Sequence, residues 1–130
     1  MRVAAQDVDV RIAIPGATLR QQSGFGSASG YGQFSCEYFT LAAGVDTTPL
    51  FTGLEGDACQ CPHWGYVIKG RITTTDTAGV QETVGAGDLF YWPEGHNVLV
   101  VEDAEIVMFS PEGPHTAVLD HMAGVLGLAN

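Results

Sequence analysis

Two stretches, Gly65-Tyr66-Val67-Ile68-Lys69-Gly70-Arg71-Ile72 and Gly85-Ala86-Gly87-Asp88-Leu89-Phe90-Tyr91-Trp92-Pro93-Glu94-Gly95-His96, decide how this chain folds. Each sets β-branched and aromatic residues against a turn that carries glycine or proline, which is strand chemistry with hairpin punctuation. The surrounding residues repeat the pattern. Strands are expected at residues 65–69, 71–75, 80–84, 89–92, 98–101 and 106–109, with turns at Asp76-Thr77-Ala78-Gly79, Gly85-Ala86-Gly87-Asp88, Pro93-Glu94-Gly95 and Glu102-Asp103-Ala104. Upstream, Val8, Val10, Ile12 and Ile14 alternate with Asp9, Arg11 and Ala13 until Pro15-Gly16 stops them, which predicts a half-buried first strand. The Ser- and Gly-rich stretch from Gln21 to Gly32 reads as a loop, and residues 33–41 resume strand chemistry, with Phe34, Cys36, Tyr38 and Thr40 on one face and Phe39 and Leu41 on the other. Closely spaced short strands of this kind predict an all-β sandwich or barrel with its core across residues 33–111. After Pro111-Glu112-Gly113-Pro114, residues Val118, Leu119, Met122, Val125 and Leu126 recur at helical spacing, so a short C-terminal helix or an irregular arm is expected.

At 130 residues the chain has room for one domain, residues 1–130, with a core of its own. Five basic and fifteen acidic side chains give a formal charge of −10, a surface that repels phosphate backbones and anionic headgroups. Nucleic acid is therefore not an expected partner, and no apolar run approaches the length of a membrane helix. Arg2, Asp7 and Asp9 interrupt the N-terminus, so no secretory signal is read there and a cytoplasmic, reducing compartment is expected. In that setting Cys36, Cys59 and Cys61 serve as thiols or metal ligands rather than as a disulfide framework.

The chemistry concentrates in Cys59-Gln60-Cys61-Pro62-His63. On an extended strand these residues alternate, so Cys59, Cys61 and His63 share one face and look into one cavity. His96 follows the Pro93-Glu94-Gly95 turn. Thiolate and imidazole are preferred zinc ligands, and four of them close a tetrahedron, whereas three leave a position for substrate. The expected metal set is Cys59, Cys61, His63 and His96, with zinc favoured and iron or copper as alternatives. The other reading makes the cysteines small buried hydrophobes and the histidines hydrogen-bonded core residues. Trp64, Tyr66, Tyr91 and Trp92 are candidates for the walls of an apolar pocket, or for plain packing. Cys36 reads as core, and His115 and His121 as surface or interface residues.

The segments 62–72 and 85–96 resemble the paired motifs of the cupin superfamily, across about half of the chain. That resemblance implies a double-stranded β-helix, or jelly-roll, barrel. In cupins the first motif supplies two His and a Glu and the second a His after a Pro-x-Gly turn, and together these hold a divalent metal in many members. Counted back from Gly70, the family's Glu position falls on His63, and its two His positions fall near Cys59 or Cys61. Counted forward from Gly95, its His position falls on Val98, two residues beyond His96. The resemblance thus implies a metal-dependent oxygenase or isomerase acting on a small organic molecule. The alternative is a non-catalytic ligand-binding or sensing module with no metal. It also implies a homodimer, for which the first strand is a suitable pairing edge.

Overall fold

The two longest strands each run through both halves of the barrel. The computed structural model describes residues 1–128. It contains β1 (Val10–Ile14), β2 (Ala17–Gln22), β3 (Ser27–Ala28), β4 (Gly32–Leu41), β5 (His63–Asp76), β6 (Gln81–Gly85), β7 (Leu89–Trp92) and β8 (His96–Pro111), with helices α1 (Thr48–Phe51) and α2 (Glu112–Val125). All strand pairs are antiparallel, in the order β1-β2-β4-β8-β5-β6, with β3 on β4 and β7 on β5.

The first half of β5 lies between β7 and the second half of β8, through pairs such as Trp64 with Tyr91 and with Phe109. Its second half lies between β6 and the first half of β8, where Ile72 faces Val84 and Val100. The ladder shifts register between Val67 and Ile72, which is where one layer passes into the other. Gly70 makes that passage possible: its φ is +88°, and a Cβ there would stand 2.2 Å from the Asp103 carbonyl oxygen.

This geometry revises the expected elements. Residues 65–69 and 71–75 form one bulged strand, and 98–101 and 106–109 form another, because Gly70 and Glu102-Asp103-Ala104 bend the chain without ending its pairing. The expected loop from Gln21 to Gly32 contains the end of β2 and the short β3. β2 escapes a hydrophobicity reading because its inward positions are Ala17, Leu19 and Gln21, of which only Leu19 is a large hydrophobe.

Inward residues of the strands form one core: Ile12, Leu19, Phe39, Val67, Ile72 and Ile106 are all buried. Complete burial of a side chain such as Ile72 or Ile106 contributes roughly 1.5–3 kcal/mol. α2 completes the core from the end of the barrel. Its buried positions His115, Val118, Leu119, Met122 and Ala123 follow helical spacing, whereas Val125 is exposed. The helix is tied down by an ion pair from Asp120 to Arg11 on β1 and by the His121 Nε2–H, which donates to the Thr52 carbonyl at 2.9 Å.

Candidate functional site

Three segments converge where the barrel meets α2. Cys59 comes from the bend after a 3-10 turn at Glu55–Asp57, His63 opens β5 and His96 opens β8. Backbone pairing locks Cys59 to His96: the Cys59 N–H donates to the His96 carbonyl at 2.9 Å, and the His96 N–H donates back at 3.2 Å. The Cys59 Sγ then lies 3.6 Å from His63 Nε2. One ligand atom each from Cys59, His63 and His96 falls within 4.8 Å of the others, and all three residues are buried.

The tautomers follow from their partners. His96 Nδ1 lies 2.7 Å from the Pro93 carbonyl oxygen, which can only accept, so Nδ1 carries the proton and Nε2 keeps its lone pair. Ser110 Oγ donates its proton to Glu37 Oε1, so it accepts from His63 Nδ1 at 2.6 Å. His63 Nε2 is thereby left as an acceptor too. His115, the first buried residue of α2, donates from Nδ1 to Glu37 Oε1 at 2.6 Å. Its ring centroid lies 4.5 Å from that of His63. Glu37 thus orients His115 directly and His63 through Ser110, which is how carboxylates commonly orient metal-binding imidazoles.

Burial lowers the pKa of both site histidines. His63 falls well below its ordinary value, through desolvation first and then through His115 and His96. His96 falls through desolvation, partly opposed by its bond to Pro93. Both are neutral at physiological pH, as ligation requires. Burial pushes the Cys59 thiol up to about 11, so it keeps its proton until a cation displaces it. The donors therefore suit a soft or borderline divalent ion, with the lone pairs of two imidazoles and one displaceable thiol proton.

Cys61 does not join this group. The backbone bends at Cys61 and strand pairing starts only at His63, so the alternation that would align residues 59, 61 and 63 is broken. The Cys61 Sγ instead faces the carbonyls of Pro62 and Pro111, at 3.4 and 3.8 Å. Trp64, Tyr66 and Tyr91 likewise stand outside the barrel, 43–51% exposed, because they have the opposite parity to His63 and Trp92. Trp92 alone of the four candidate wall residues lines the cavity. Its indole N–H has no hydrogen-bond partner among the described residues.

Glu37, Ser110 and His115 were not singled out as site residues in the sequence. Each carries a signal there: Glu37 has the parity of Phe39 and Leu41, Ser110 that of Ile106 and Met108, and His115 lies three residues before Val118 on the buried face of α2. A polar residue in register with an apolar face is the common feature. The cavity beside these groups measures ≈ 70 Å³, and apart from the site histidines, Cys59 and Thr47 it is walled by apolar and aromatic residues, including Val118, Leu119 and Met122 of α2.

No family model and no curated protein sequence matches the chain. Solved structures do match. The polyketide cyclase RemF from Streptomyces resistomycificus is 20% identical with a TM-score of 0.57, over 85% of this chain and 78% of that one. An RmlC-like cupin from Shewanella frigidimarina is 16% identical with a TM-score of 0.58, over 88% and 93%. The oxalate decarboxylase of Bacillus subtilis, described by its Mn(II) centres, is 23% identical with a TM-score of 0.58 over 85% of this chain, which spans 29% of that longer one. Such identities carry the fold and leave the activity open. The strand order, the paired motifs and these likenesses agree that the chain is a small cupin-fold domain.

Proposed function

We propose that the chain holds one divalent transition metal ion through Cys59, His63 and His96 and presents it to a small organic molecule in the barrel cavity. The observation that carries this reading is the assignment of the ring protons. Pro93 and Ser110 take the Nδ1–H groups of His96 and His63, which leaves both Nε2 lone pairs beside the Cys59 thiol. Zinc is the ion that best matches two imidazoles and a thiolate, with iron and copper next, while magnesium and calcium prefer oxygen. Three protein ligands leave a fourth position for substrate or water. A bound ion would supply Lewis acidity to an oxygen atom placed there. The protein's part is to fix the ligand tautomers, of His96 through the Pro93 carbonyl and of His63 through Ser110 and Glu37, and to exclude water with the apolar face of α2. Metal-dependent enzyme domains of this fold, such as the Mn(II) oxalate decarboxylase, support the enzyme reading.

Elemental analysis of protein purified without added metal should find about one equivalent of a transition metal. Less than about a tenth of an equivalent, unchanged after reconstitution, overturns the reading. The alternative, a metal-free ligand-binding module, draws on the mutual contact of Cys59 and His63 and on the closing of the barrel by α2, and that second result would select it.

We further propose that two copies pair through β1, which lies at an edge of the sheet. Light scattering should give twice the 13.7 kDa chain mass, and a monomer mass removes the idea. A reducing, cytoplasmic setting fits three cysteines that are all free thiols. No described helix is long and apolar enough to cross a membrane.

A further inference from the structure

We infer that the cavity selects a small, uncharged, mostly hydrocarbon molecule, and that it rejects carboxylates. The inference rests on the proposed metal site in one respect, the charge balance at its polar end, and otherwise on the cavity alone.

The cavity's size sets the first limit. At ≈ 70 Å³ it has about half the space of the ~150 Å³ apolar cavities that admit a benzene ring, which allows about three to five non-hydrogen atoms. Its walls set the second. Ile106, Met108, Val118, Leu119 and Met122 offer no hydrogen bonds, so most of the ligand must be hydrocarbon.

Charge sets the third limit. The lysine and arginine side chains are Arg2, Arg11, Arg20, Lys69 and Arg71, and none of them lines the cavity. Arg11 is already engaged by Gln21 and Asp120. A carboxylate entering this space would be buried without a cationic side chain, which is strongly unfavourable. The proposed metal does not reverse this. The two positive charges of a divalent ion are balanced by the Cys59 thiolate and by the Glu37 carboxylate behind His115 and Ser110. An added anion would carry one uncompensated charge into an apolar chamber.

The test uses the full-length protein with labelled methyl groups, followed by NMR, in metal-free and zinc-loaded samples. The two probes are 2-butanone and propionate, which have equal numbers of non-hydrogen atoms and differ in charge. 2-Butanone should shift the methyl resonances of Ile106, Met108, Leu119 and Met122 in both samples and bind at least tenfold more tightly than propionate. Met122→Ala, which widens the cavity, should improve binding of the longer 2-hexanone at least threefold. Propionate binding as tightly as 2-butanone, neither probe moving these methyls, or no gain for 2-hexanone in a folded Met122→Ala protein overturns the inference. A sample that takes up no zinc yet still prefers 2-butanone overturns the metal reading and leaves the cavity inference standing. A zinc-loaded sample that prefers propionate does the reverse.

Discussion

The two sides of the polar end of the cavity use the same residue types for opposite purposes. On one side, Cys59 and His96 sit on paired backbone segments, and His63 faces them with an acceptor nitrogen. On the other, Glu37 Oε1, Ser110 and His115 bond to one another and to the far nitrogen of His63, while Glu37 Oε2 has no partner among the described residues. The first group keeps lone pairs for a guest, and the second fixes the orientation of the first. A cluster of histidines and acids is therefore not one site by virtue of proximity. His115 has the same proton assignment as His63 and His96, with Nδ1–H given to Glu37, and what sets it apart is that its ligand atom groups with Glu37 and His63 rather than with Cys59 and His96.

That division can be broken by substitution. The largest effect is expected from His63→Ala, which removes the residue common to both groups and should abolish metal uptake in a chelator competition assay. Uptake within tenfold of wild type would show that His63 is not a ligand. Glu37→Gln keeps the shape but removes the charged acceptor, and it should weaken metal affinity by about 10–100-fold without abolishing it. An unchanged affinity would reduce Glu37 to a packing residue, and a complete loss in a folded protein would promote it to a ligand.

An intermediate effect is expected from pH. In the metal-free protein, His63 and His96 have pKa values below the 6.5 of an unperturbed imidazole. Between the lowered and the unperturbed values the unfolded chain binds more protons than the folded one, so stability rises with pH across that window. Metal-free protein should therefore lose stability as pH falls below about 6.5, and denaturant titrations at several pH values should find this slope reduced in His96→Gln. A slope equal to wild type would place the acid sensitivity elsewhere. The smallest effect belongs to the outer face. Trp64→Ala removes a ring stacked on Tyr91 at 5.2 Å, outside the barrel, and should leave metal affinity unchanged while costing about 1 kcal/mol of stability. A tenfold loss of affinity would mean that the outer aromatic pair reaches the site.

The framework was legible in the sequence where alternation was uninterrupted. His63, Val67, Ile72 and Trp92 have inward parity, and the glycine and proline turns mark where the chain reverses. Gly70 and Glu102-Asp103-Ala104 were misleading because a bulge and a strand end use the same residues, and only pairing across the sheet separates them. At the site, Cys59, His63 and His96 could be proposed from local sequence. Their grouping apart from Cys61 could not, since it depends on a bend at Cys61 that breaks the parity. His115 lay further from reach. It arrives on a helix 52 residues beyond His63, and its role is visible only once α2 is seated on the barrel mouth.

The most direct test of this account is the absorption spectrum of the Co(II)-substituted protein, read for a thiolate-to-metal charge-transfer band. The band is expected in wild type, with its loss in Cys59→Ser and its retention in both Cys61→Ser and Cys36→Ser. A Co(II) protein with no such band, or a band that survives Cys59→Ser and disappears with Cys61→Ser, would contradict it.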